Sequence, residues 1–224
     1  MYYFDYYKVP GIRHICRSVK QTESETVQDS AISTMAVFFA DKILTRHKNH
    51  CDKAIIIPIP QHTGYAEYTK EIAKRVGDVT GAKILDILKA EPRESFYSSK
   101  KKETIESFEF AVPSIAPVLE LEKGFKSEDF LGIYLLDNVI ATGNTFKKAL
   151  SCLSDLVPTP DYNKDLSACS LLEKIARAAF FRNINPLVYG IDSTRLSLSM
   201  AKELGLFYPD TSLADDVVLY GGNS

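Results

Sequence analysis

The run Phe130-Leu131-Gly132-Ile133-Tyr134-Leu135-Leu136-Asp137-Asn138-Val139-Ile140-Ala141-Thr142-Gly143-Asn144-Thr145-Phe146 constrains this chain more than any other stretch. Its apolar part, 131–136, reads as a strand buried in a sheet, and the polar residues after it read as a sharp loop opening a helix over 145–156. A strand that ends in an acid and leads into Ala-Thr-Gly-Asn-Thr has the composition to hold a sugar phosphate at its carboxyl end. Asp137 can accept hydrogen bonds from ribose hydroxyls. The backbone N–H groups of Ala141, Thr142, Gly143, Asn144 and Thr145, with the Thr142 and Thr145 hydroxyls, can surround a phosphate at a helix N-terminus. The expected ligand is an activated ribose phosphate.

The flanking sequence supplies the sheet such a loop requires. Ala54-Ile55-Ile56-Ile57-Pro58-Ile59-Pro60 is a β-branched run suited to a strand buried on both faces, and 65–76 follows it with the spacing of an amphipathic helix. Upstream, Val27, Ala31, Ile32, Met35, Ala36, Phe38, Phe39, Ile43 and Leu44 recur at three- and four-residue intervals, predicting a long core-facing helix over Glu25–His47. Residues 83–88 read as a second strand, 167–180 as a helix, 187–191 as a last strand and 193–204 as a last helix. Asp192-Ser193-Thr194 reads as the cap of that helix. At the amino end, aromatic residues 2–9 before Pro10-Gly11 read as a strand and 12–19 as its hairpin partner. The order of elements predicts an α/β fold, a mostly parallel sheet flanked by helices.

Composition narrows the function classes. With 224 residues and 45% hydrophobic content the chain can bury one generous core, so 1–224 reads as a single domain with its core near 25–157. Lys and Arg total 27 against 29 Asp and Glu, a net charge of -2, so there is no direct nucleic-acid signal and no membrane-surface signal. The cysteines Cys16, Cys51, Cys152 and Cys169 are scattered without a Cys-x-x-Cys pair, which argues against a zinc module and fits a reducing cytoplasm. No stretch reaches the roughly 20 apolar residues of a membrane span, and the amino end lacks a secretory pattern. A cytoplasmic protein is expected. His14, His47, His50 and His62 have no metal-ligand spacing, 141–147 lacks the opening glycine of a kinase-type phosphate loop, and no nucleophile elbow is present. Lys147 and Lys148 are assigned to the solvent face of their helix.

The strand-acid-turn pattern of 130–146 resembles the phosphoribosyl pyrophosphate (PRPP) loop of type I phosphoribosyltransferases, which has two acidic residues, two apolar residues and a Thr-Thr-Gly-like turn. Asn138 stands where the family has its second acid. The turn Pro60-Gln61-His62-Thr63-Gly64-Tyr65 resembles the family's pyrophosphate loop, most closely in its ComF-like, competence-associated branch. The basic stretch 89–110, with Arg93, Lys100, Lys101, Lys102 and a Phe-containing return strand, resembles that branch's catalytic loop.

The resemblance implies a catalytic set of Asp137, Asn138, Arg93, Lys100, Lys101 and Lys102. It also implies a 5′-phosphate site at Ala141, Thr142, Gly143, Asn144 and Thr145, and a pyrophosphate site at Gln61, His62, Thr63 and Gly64. Basic groups over the leaving pyrophosphate would stabilise its developing charge. Mg2+ is implied as a companion of the substrate rather than of a protein ligand set, and the partners implied are PRPP and a small nitrogenous acceptor or nucleotide. A homodimer is compatible with the family. A small hood over the site would come from the terminal segments 1–24 and 158–224. The alternative class is a non-catalytic module that senses PRPP or a nucleotide, in regulation or DNA uptake, which the change at Asn138 favours.

Overall fold

The computed structural model describes residues 3–20, 24–93, 108–124, 131–158, 161 and 163–206. Seven strands and seven α-helices lie in these segments: β1 (Phe4–Asp5), α1 (Ile12–Ser18), α2 (Glu25–His47), β2 (Ala54–Pro58), α3 (Tyr68–Thr80), β3 (Lys83–Ile84), β4 (Lys89–Ala90), β5 (Phe110–Ala111), α4 (Ala116–Gly124), β6 (Gly132–Ile140), α5 (Asn144–Ser154), α6 (Leu171–Phe180), β7 (Ile184–Ile191) and α7 (Leu198–Glu203). Five strands form one parallel sheet in the order β1-β7-β6-β2-β3, while β4 and β5 pair antiparallel. The fold is α/β and Rossmann-like.

The sheet is buried on both faces because its strands carry apolar residues at successive positions. In β2, Ile55 and Ile57 join a cluster with Phe146, Ala149 and Leu153 of α5 and Leu171, Ile175 and Ala179 of α6. Ala54 and Ile56 join the opposite cluster with Cys16 of α1, Met35, Phe39 and Ile43 of α2, and Ile72 and Val76 of α3. The result is a three-layer sandwich. Each fully buried Ile or Phe stabilises it by about 1.5–3 kcal/mol. Helix α3 ends at Gly81, whose φ of 78° supplies the left-handed C-cap, and α6 begins with a capping box between Ser170 and Glu173.

Several expectations are corrected. Residues 12–18 form a helix, not a hairpin strand, because Ile12, Ile15, Cys16 and Val19 fall on one helical face and pack toward α2 and β7. Strand β1 therefore has no hairpin partner and instead lies parallel to β7. The described parts of 1–24 and 158–224 are built into the core: β1 and β7 supply two of the five sheet strands, so the core extends well beyond 25–157. Only 83–84 of the 83–88 segment pairs as a strand, since Leu85, Ile87 and Leu88 turn into the core beneath the β4–β5 hairpin. The final helix is capped by Ser197, whose hydroxyl accepts from Met200 N–H. Asp192 closes an earlier turn by accepting from Thr194 N–H and Oγ1. The long helix Glu25–His47 has the bounds the periodicity predicts.

The four cysteines are free thiols. Among the described residues no helix is long and apolar enough to cross a membrane.

Candidate functional site

From β2 the chain first steps outward to β3 and then returns across β2 to form β6, so the strand order reverses between β2 and β6. In an open parallel sheet the loops at the carboxyl ends of two such strands splay apart and leave a crevice. The loops bounding this one are 59–67 after β2 and 141–143 after β6. These are the two segments expected from sequence to hold phosphates, brought side by side by the pairing of Pro58 with Leu136.

The loop after β6 turns at Gly143, whose φ of 85° a residue with a Cβ adopts only under strain. Its Cα faces Met200 and Leu204 at such short range that a Cβ there would collide with Met200. Helix α5 starts at Asn144 behind Gly143, an N-cap residue with no side chain, and its first N–H groups have no intrahelical acceptors. Thr142 Oγ1 lies 3.5 Å from Asn144 N, the limit of a contact. Ala141, Thr142, Asn144 and Thr145 are half-buried, so the turn is accessible from one side. A helix N-terminus behind a glycine, with two flanking hydroxyls, has groups that can donate to an anion.

The loop after β2 is closed on itself. Gln61 N donates to Tyr65 O at 2.9 Å and Gly64 N to Gln61 O at 3.0 Å. The Gln61 amide oxygen, in the orientation that satisfies both groups, accepts from Tyr68 N at 2.8 Å and Glu67 N at 3.1 Å, so this side chain caps α3. Gly64 has a φ of 94° and presses on the carbonyl oxygen of Ala90, whose N–H bonds Gly64 O at 3.0 Å. Arg93 N in turn donates to His62 O at 2.8 Å. What the loop still offers a ligand is the exposed His62 ring and Thr63, whose Oγ1 is buried without a hydrogen-bond partner among the described residues.

Between the loops lies Asp137. It keeps partial contact with solvent while protein packs closely round its carboxyl, and this burial pushes its pKa up to about 6. Lys20, the N–H of Asn138 (2.7 Å to Oδ1) and Arg93 pull the other way. Arg93 is half-buried, its guanidinium 4.0 Å from the centre of the Phe108 ring. Burial lowers its pKa, and Asp137 opposes that. The expected pair Asp137 and Arg93 is thus brought together. Lys100, Lys101 and Lys102 lie outside the described residues.

Asn138 is not a site residue in this arrangement. It is 1% exposed, and its side chain points into the core: Nδ2 donates to Cys16 O at 2.8 Å, and Oδ1 accepts from the Tyr68 hydroxyl at 3.3 Å. Successive strand residues face opposite sides, so the residue after Asp137 is directed at α1 and α3. Lys148 is also corrected. It is half-buried and donates to Phe108 O at 2.5 Å and Glu109 Oε1 at 2.9 Å, fastening α5 to the β5 side of the hairpin.

Sequence reasoning missed the contact that Lys148 makes, and no local signal could have found it, because its partner Phe108 is 40 residues away.

No protein-family model, no curated protein and no solved structure matches this chain.

Proposed function

We propose that this chain binds PRPP in the crevice between β2 and β6 and transfers its phosphoribosyl group to a nitrogenous acceptor with release of pyrophosphate, on a fold of the type I phosphoribosyltransferase kind. The observation that carries the reading is the glycine-led N-terminus of α5, set beside a carboxylate at the point where the strand order reverses. The α5 cradle takes the 5′-phosphate, Asp137 accepts from the ribose hydroxyls, and His62 and Thr63 face the pyrophosphate. Arg93 stands where negative charge grows as the bond from C1 to pyrophosphate oxygen breaks and the acceptor nitrogen bonds C1. Magnesium, in this reading, is a companion of the substrate, held by its oxygens and by water.

A second reading, a PRPP or nucleotide sensor without turnover, is favoured by one observation: the amide at position 138 is committed to the core, leaving Asp137 as the one acid of the pair at the ligand. One assay separates the two. The protein is incubated with PRPP, magnesium and a panel of purines, pyrimidines and other nitrogen acceptors while pyrophosphate release and melting temperature are followed. Release with one acceptor supports the enzyme, and a melting shift without release supports the sensor. No shift with PRPP or any nucleoside monophosphate would sink both.

A further inference from the structure

We infer that Lys148 is a positioning residue of this crevice: by fastening the β4–β5 hairpin to α5 it fixes the span between the helix N-terminus and the loop after β2, and so selects ligands that carry an anion at each end. The inference rests on the proposed ligand site and adds to it the element that sets its length.

The hairpin is bonded to both walls of the crevice. On the β4 side it is locked to the loop after β2: Ala90 N donates to Gly64 O at 3.0 Å, Arg93 N donates to His62 O at 2.8 Å, and the Ala90 carbonyl oxygen stands so near Gly64 that a Cβ there would collide with it. On the β5 side it is locked to α5. Lys148 Nζ donates to Phe108 O at 2.5 Å and to Glu109 Oε1 at 2.9 Å, and it lies 4.8 Å from the centre of the Phe108 ring. The strands pair Lys89 with Ala111 and Ala90 with Phe110, so a shift of one side is passed to the other. Phe108 and Phe110 meet edge to face at 5.3 Å and are buried in the same cluster as Phe146, Ala149 and Leu153 of α5.

Lys148 acts close to the start of its helix. It follows Asn144 by four residues, so it lies on the face of α5 that Asn144 occupies, one turn below the first N–H groups. Its bond to Phe108 O is charge-assisted and directed at the backbone of a buried residue, which fixes the return strand; Glu109 is exposed, and an ion pair with it constrains little.

A ligand senses this arrangement as a distance. An anion held by α5 alone, or by His62 and Thr63 alone, is indifferent to the separation of the two walls. A sugar with a phosphate group at each end is not, because both ends engage together only at one separation, and a small displacement of either wall is costly. The class of ligand this favours is a pentose with a phosphate at one end and a pyrophosphate at the other, over a simple sugar monophosphate.

The test is calorimetric titration of the full chain with PRPP, ribose 5-phosphate and inorganic pyrophosphate, each with magnesium. The parent is compared with Lys148→Met, Lys148→Gln, Lys148→Arg and Lys147→Met, the last removing the same charge from the exposed neighbouring position. Lys148→Met and Lys148→Gln are expected to bind PRPP about tenfold more weakly while holding ribose 5-phosphate and pyrophosphate as the parent does. Lys148→Arg should restore PRPP binding, and Lys147→Met should affect PRPP no more than ribose 5-phosphate. The ratio of affinities within each variant cancels any loss, common to all three ligands, that comes from weaker folding. If the parent binds PRPP and both truncations bind it equally well, or weaken all three ligands by one factor, or are matched by Lys147→Met, the inference is overturned and the proposed site stands. A parent that binds PRPP no more tightly than ribose 5-phosphate, or binds none of the three, overturns both.

Discussion

The two loops at the mouth of the crevice are built on opposite plans. After β2, the backbone groups of Gln61, His62 and Gly64 are spent on Tyr65, Ala90 and Arg93, and the Gln61 side chain caps its own helix. After β6, the turn through Gly143 opens onto a helix whose N-cap is a glycine, with no side chain of its own to offer. One loop is held by its own hydrogen bonds and offers side chains; the other offers the N–H groups of a helix start. The difference divides the labour of a phosphate-rich ligand: charge-dense oxygens suit the open helix N-terminus, while the closed loop fixes the distance at which His62 and Thr63 stand.

Substitutions can break this contrast, and the largest effect is expected at Gly64. Its left-handed φ and its contact with the Ala90 carbonyl, a backbone atom that cannot swing aside, set Gly64→Ala at about 4 kcal/mol of lost stability in denaturant unfolding. A variant that unfolds like the parent would show the loop to be less closed than its hydrogen bonds indicate. Next comes Asn138→Asp. It removes the donor to Cys16 O and buries a carboxylate against that carbonyl, so a loss of about 3 kcal/mol is expected, read as a lower melting temperature above pH 6.

Asp137→Asn should act in the reverse direction. The folded carboxyl titrates near 6, above its ordinary 3.8, so ionising it opposes folding. The parent therefore loses stability as pH climbs from about 4 to about 6 and is level beyond. Asp137→Asn lacks that slope and should gain up to about 3 kcal/mol at pH 8 while losing ligand-induced stabilisation. A pH-stability profile identical to the parent's counts against this.

Gly143→Ala sharpens the comparison. It shares the positive φ of Gly64, but the obstructing atoms belong to Met200 and Leu204, flexible side chains that can yield, so about 2 kcal/mol is expected in chemical denaturation. Equal costs at Gly64 and Gly143 would erase the distinction between a backbone and a side-chain obstruction. The smallest effect belongs to Gln61→Ala, about 1 kcal/mol for an N-terminal cap, measurable as faster amide exchange at Glu67 and Tyr68.

Much of the fold was legible because burial writes itself into periodicity. The threefold-fourfold spacing of α2 and the β-branched run of β2 are each specified by which faces are covered, and the loop after β6 by its glycine and hydroxyls. What escaped was set by partners remote in sequence. Asn138 looks like half of an acidic pair until its contacts with Cys16, 122 residues distant, and Tyr68 are seen. Lys148 looks solvated until Phe108 folds over it. The error at 12–19 was of another kind: the helical spacing was present in the residues, and the Pro10-Gly11 turn suggested a hairpin instead.

Strand β1 has only two residues, yet it joins segments of the chain that are far apart in sequence. Phe4 and Asp5 pair with Gly190 and Ile191, and the Asp5 carboxylate accepts from the Ser193 hydroxyl, 188 positions along the chain. During synthesis these contacts are unavailable until residue 193 has left the ribosome, so among the described strands β1 is the last to find its partner, and α1 settles with it. A chain that stops short of Ile191 can still pair β6 with β2 and β2 with β3, but it lacks the β7 residues on which β1 and α1 are seated.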